Sequence, residues 1–198
     1  MESQTQNTEE KIIEASFRVI ERNGISGTTT RQIADEAGLS EVTLFRKFKS
    51  KEGIIKAVKD YYTQYFITLL EETFSYDENN SIEQYLEKIF LFLVNLPEKD
   101  FNIIKLSLEE AHGALESEKI FKSIFESVME KLYGFFTLKI QQGEIRDVNV
   151  NVLSLNIFGI IFEAAVLWRL YNLNPEGDVN QYFRDFLDIL LNGISSEA

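Results

Sequence analysis

The sequence predicts an all-α protein of about nine helices: a three-helix N-terminal domain built around a helix-turn-helix, then a larger helical domain. Three observations predict it. Only 2 Pro and 10 Gly occur among 198 residues, too few to punctuate a stack of short strands. Apolar residues recur at spacings of three and four, the period of a helix face. Capping signals fall where that period restarts. With 44% apolar residues, such helices can bury a core.

The elements follow in order. A first helix is expected from about Glu9 to Asn23, with Ile13, Phe17 and Ile20 on one stripe, and Gly24 stops it. Thr29 and Gln32 fit a capping box for a second helix, which Gly38 ends after Ala37. Leu39 fills the turn, Ser40 caps a third helix and Phe48 closes it. Ser50 caps a long fourth helix reaching about Thr73. The polar stretch 75–80 reads as a loop, and Ser81 with Gln84 starts a fifth helix to about Asn95. Pro97 precedes a sixth. The stripe Phe121, Phe125, Val128, Leu132, Phe136 and Ile140 marks a seventh, ending before Gly143. The eighth, about Val150 to Leu173, is apolar nearly all round and should be buried on more than one side. A turn at Asn174, Pro175 and Gly177 leads to a ninth, capped by Asp178 with Gln181.

Composition narrows the function classes. No cysteine is present and His112 is the one histidine, so disulfides, thiolate metal sites and cysteine nucleophiles are excluded. No Ser-His-Asp set, phosphate loop or metal spacing occurs, so neither catalytic residues nor a cofactor nor a metal is expected. The polar start of the chain lacks the order of a signal peptide. Glu163 interrupts the most apolar stretch, which disfavours a membrane span. A cytoplasmic protein is expected.

The net charge of −12 is unevenly spread. Residues 1–60 carry 10 Lys+Arg against 10 Asp+Glu, and residues 61–198 carry 10 against 22. Between Val42 and Lys59 stand six basic residues and one acid, Glu52. A basic patch on an acidic chain orients a molecule toward phosphate.

That patch begins inside residues 29–48, which have the build of a helix-turn-helix. Ala34 is small enough for two helices to cross closely, and Gly38 permits the sharp turn. Ile33, Leu39, Leu44 and Phe48 supply a small core. Glu41, Val42, Thr43, Arg46 and Lys47 then face outward, within reach of a major groove. The alternative from pattern alone is an ordinary helical hairpin.

On the stretch Gly27-Thr28-Thr29-Thr30 through Gly38-Leu39-Ser40, then Thr43-Leu44-Phe45-Arg46-Lys47-Phe48-Lys49-Ser50-Lys51-Glu52, the sequence resembles the TetR family of bacterial regulators. The resemblance covers about a quarter of the chain. It implies a homodimer on a palindromic operator, with a DNA-binding domain at residues 1–55 and a ligand-binding and dimerisation domain at 56–198. It implies a repressor released by a small, largely apolar inducer. Activation would use the same motif, and an interaction protein without DNA binding is a further alternative. Glu41, Val42 and Phe45 depart from the family's frequent Lys, Gly and Tyr.

Residue roles follow from chemistry. Thr29 and the helix start it caps can offer N–H groups to a phosphate. Thr43 can meet a thymine methyl or a phosphate. Arg46, Lys47 and Lys51 are expected phosphate anchors, with Arg31, Gln32, Val42 and Phe45 as further DNA candidates. Glu41 is read as a solvent-facing carboxylate or an acceptor from a cytosine amine. After residue 60 the chain holds 13 Phe, all 8 Tyr and the single Trp. Such a population can form ordinary core or line an apolar cavity. Candidate lining residues are Tyr65, Phe66, Phe92, Leu106, Phe125, Phe162 and Trp168, with Glu163, His112, Asn156 and Tyr133 as orienting polar groups. Glu163 could instead meet Arg169 or a partner chain. Leu155, Phe158, Phe162, Phe183, Phe186, Leu187 and Leu190, on the last two helices, are the expected dimer interface. A ligand touching the fourth helix between Tyr61 and Phe66 is expected to tilt it.

Overall fold

The computed structural model describes residues 2–109, 120–173 and 178–193, which hold nine helices and no strand. They are α1 (Glu2–Gly27), α2 (Thr30–Ala37), α3 (Glu41–Phe48), α4 (Lys51–Thr73), α5 (Ile82–Val94), α6 (Glu98–Glu109), α7 (Ile120–Gln141), α8 (Val150–Tyr171) and α9 (Val179–Asn192). The expected turn at Asn174, Pro175 and Gly177 and the lone His112 lie outside the described residues. The chain divides into two compact units, one of residues 1–68 and 98–124, the other of 69–97 and 125–198.

In the first unit the expected caps are made. Thr29 Oγ1 accepts from the Gln32 amide while the Gln32 side chain accepts from the Thr29 amide. Gly38 ends α2 in the left-handed region (φ 63°), and the Leu39 amide reaches back to the Ala34 carbonyl at 2.9 Å. This doubled closure satisfies the last carbonyls of α2 and aims the chain into α3. Ile33 and Leu44 are fully buried at the crossing, while Leu39 and Phe48 are half-buried. Gly24 does not end α1; it breaks it at φ 67° and ψ 169°, and helix resumes to Gly27. That conformation is open essentially to glycine alone. Lys49 (φ 70°) joins α3 to α4 through a γ-turn, its neighbour Ser50 donating to the Phe48 carbonyl at 2.8 Å. Such a turn is strained for a residue with a Cβ.

The second unit packs α8 and α9 against α5. Tyr85, Ile89, Phe90 and Leu93 of α5 are buried with Ile157, Ile161, Ala165 and Trp168 of α8 and Phe183 of α9. Phe90 stands at the centre: its ring stacks on Phe183 at 4.7 Å and meets Trp168 edge-on at 5.7 Å. Lys139 on α7 is buried, donating to Glu144 at 2.8 Å and to the Glu78 carbonyl at 3.2 Å. Those bonds supply the charge partner and acceptor that a buried ammonium needs.

Two expectations are corrected, and one cap was not anticipated. α8 is long and apolar enough, by length and composition, to cross a membrane. It is nevertheless buried along one stripe only, Ser154, Ile157, Ile161, Ala164, Ala165 and Trp168, rather than on several sides. Val152, Leu155 and Ile160 remain exposed, because none of the described residues of the unit covers them. Asp178 makes no side-chain cap on α9, since its carboxylate faces the Asn180 amide and Gln181 turns to Asp185. Asn149, not anticipated, caps α8 by accepting from the Val152 amide.

Candidate nucleic-acid interface

α3 is anchored by its apolar side and by two polar ties. Leu44 fills the crossing with α2. Thr30 Oγ1 donates to Glu41 Oε2 at 2.6 Å, joining the start of α2 to the start of α3. Lys47 Nζ meets Glu9 Oε1 at 3.0 Å, tying the end of α3 to α1. α2 is held in turn by Glu36, whose carboxylate receives Arg18 at 2.8 Å and also Arg22. Those two guanidinium groups hold the Glu36 carboxyl below its ordinary pKa. The Glu52 carboxyl is also lowered, by its own backbone amide at the start of α4 and by the Ser50 hydroxyl.

What remains outward on α3 is a narrow face. Val42 is 78% exposed and Phe45 43% exposed, both unusually open for apolar side chains. Arg46 is exposed beside them, as is Arg31 on α2. Apolar groups of this size meet thymine methyls, and a guanidinium meets phosphate. Thr43, half-buried, shares a 3.0 Å hydrogen bond with Ser40 as part of the α3 cap. Lys51 is half-buried at the start of α4, in a shallow cleft with Lys56 and Lys59.

The structure therefore reassigns several expected DNA residues. Glu41 neither faces solvent freely nor waits for a base, because Thr30 occupies its carboxylate. Lys47, expected at a phosphate, has a side chain only 16% exposed and paired with Glu9. Gln32 and Thr29 spend their side chains on the capping box, which leaves the helix start as their contribution. The Glu36 tie was not anticipated, though Arg22 and Arg18 stand two and six residues before Gly24 and Glu36 two before Gly38.

The expected ligand residues distribute unevenly. In the first unit Phe66 and Leu106 are buried, and Tyr65 donates to Asp100 at 3.0 Å. In the second, Phe125 meets Phe158 edge-on at 5.2 Å and Phe162 stacks on Phe158 at 5.3 Å. Phe92 is half-buried on α5. Trp168 is core, buried against Phe90 and Tyr182. Tyr133 is exposed on α7. Asn156 is exposed and donates to its own helix at the Val152 carbonyl. Glu163 is exposed rather than enclosed, and Arg169 donates to the Leu96 carbonyl.

Of the expected interface residues, Phe183 belongs to the core of its own unit. Leu155 is exposed, and Phe158, Phe186, Leu187 and Leu190 are half-buried. Val152, Ile160, Ile189 and Leu191 extend this open apolar surface.

Residues 12–58 match the family profile of bacterial regulatory proteins, tetR family. Over 94% of its length the chain is 28% identical to the fatty acid metabolism regulator protein of Bacillus subtilis, covering 95% of that protein. Among solved structures, the transcriptional regulator FadR of Bacillus subtilis in complex with stearoyl-CoA is 26% identical, with a TM-score of 0.68. The match covers 94% of this chain and 99% of that one. A TetR transcription regulator of Haloarcula marismortui shares the fold, with a TM-score of 0.73 at 18% identity and coverage of 96% and 98%.

Proposed function

We propose that the chain, whose residues 12–58 match the tetR-family profile, is a DNA-binding transcriptional regulator of that family rather than an enzyme, a repressor released from its operator by a long-chain acyl-CoA. One observation carries the DNA half of this reading. The outer face of α3, Val42, Phe45 and Arg46, is exposed while the rest of that helix is tied to α1 and α2. A helix so fixed can present a constant surface to a major groove. Arg31, Arg46 and Lys51 are the proposed DNA-contacting side chains, with the capped start of α2 donating backbone N–H groups to phosphate. Residues 1–55 are the proposed DNA-binding part and 56–198 the ligand-binding and dimerisation part.

A palindromic operator follows from a two-fold dimer, whose paired α3 helices must stand about 34 Å apart to meet successive major grooves. The open apolar surfaces of α8 and α9 are the proposed dimer contact. A cytoplasmic location belongs to the same proposal, since operator DNA would be met there. The acyl-CoA assignment rests on full-length similarity to a fatty acid metabolism regulator and to a relative bound to stearoyl-CoA.

The test is release of a bound operator fragment, selected from the native genome. Stearoyl-CoA is expected to release it at micromolar concentration, while free coenzyme A and stearate are not. Equal release by all three, or by none, overturns the ligand assignment.

A further inference from the structure

We infer that the cleft walled by α1, α4 and the first turn of α6 binds a small organic cation, an amine or quaternary ammonium, at a site distinct from any acyl-chain site. The cleft lies wholly within the first unit and has a volume of about 290 Å³, at the small end of ligand pockets. Its walls are aromatic. Phe17 and Tyr62 stack at 3.9 Å, and Tyr61 and Tyr65 stand edge-on to Tyr62, each at 79°. The Phe17–Tyr62 stack backs the cleft, and the Tyr61 and Tyr65 rings, set across the Tyr62 plane, are the exposed aromatic groups that line it, the residue type that attracts an ammonium group. Tyr61 and Tyr65 are 40% and 36% exposed.

Charge selects the same class of ligand. Glu14, Glu21 and Asp100 line the cleft against Arg18 and Lys99, and Arg18 is held by Glu36. Asp100 is only 4% exposed, and Tyr65 donates to it at 3.0 Å. That bond fixes the Tyr65 ring and enriches its oxygen, which strengthens the ring's attraction for a cation. An anionic ligand would meet three carboxylates, and a neutral apolar one would strip water from them without return.

A second, independent observation comes from the chain itself. The ammonium of Lys99 rests 5.9 Å from the Tyr65 ring centroid. The ring already takes a cation, and the one it takes is on a flexible side chain that a better-fitting ligand can displace.

The probe is choline, with 3,3-dimethylbutan-1-ol as its uncharged isostere, titrated into the full chain by calorimetry. Choline is expected to bind saturably and at least about fivefold more tightly than the alcohol, the scale of one cation–ring contact. Glu14→Gln and Tyr61→Leu should each weaken choline by about threefold or more. Lys99→Met should tighten it by removing the internal competitor. Glu14 and Lys99 are exposed, so these two variants test the site even where Tyr61→Leu disturbs folding. Equal affinity for choline and the alcohol, no saturation by choline, or weaker binding in Lys99→Met would overturn the assignment. The titration contains neither DNA nor acyl-CoA, so its failure leaves the regulator reading standing.

Discussion

Glu36 receives two guanidinium groups, from Arg18 and Arg22, and so ties α2 to α1 at the edge of the crossing that carries α3. Its pKa is lowered by those partners. The tie therefore stabilises the fold above the usual carboxylate range, about 4.3, and is lost as pH falls through the lowered folded value. Glu36→Gln is expected to lower the melting temperature at pH 7, and wild type and variant should converge on acidification. A difference that persists at low pH would show that the charge is not the cause. Gly53 sits at the same scale. A Cβ there would fall deep inside contact distance of the Phe48 carbonyl oxygen, which belongs to backbone and cannot swing away. At Gly134 the obstacle is the Tyr76 hydroxyl, the far end of a side chain, at 2.6 Å. Gly53→Ala should cost about 1–3 kcal/mol and Gly134→Ala less, read as denaturation midpoints. Equal costs would contradict the backbone contact.

Most elements were legible in the sequence because their boundaries are local chemistry. The Thr29–Gln32 and Ser81–Gln84 boxes, the Gly38 turn and the Ser40 cap depend on residues three or four positions apart, and all four are made. What was not legible depends on distant partners. Glu41 reads from sequence as a solvent-facing carboxylate or an acceptor from a cytosine amine, and Lys47 as a phosphate anchor. Thr30 and Glu9, 11 and 38 residues away, decide otherwise. α8 reads as buried on more than one side because its composition says only that it avoids water, not which molecule covers it. Trp168 and Phe183 read from sequence as cavity and interface residues, yet both pack on Phe90, since aromatic spacing fixes a face and not its neighbour. Phe135 was missed on α7 because it lies off the stripe read there. It stacks on Tyr85 at 3.9 Å and is fully buried.

For the whole molecule, the proposed reading assigns the open faces of α8 and α9 to a partner chain and the basic start of α4 to DNA. Leu155 and Ile189 are 52% and 54% exposed, so replacing both with Asp removes little internal packing. That double variant is expected to sediment as a folded monomer and to lose cooperative operator binding. An unchanged mass would refute the interface. The central claim, that the outer face of α3 lies on duplex DNA, is tested most directly by the salt dependence of operator affinity in wild type and Arg46→Ala. Affinity should fall steeply with salt, and the variant's log–log slope should be shallower by roughly 2, one phosphate contact in each half-site. A flat wild-type dependence, or an identical slope in the variant, would contradict it.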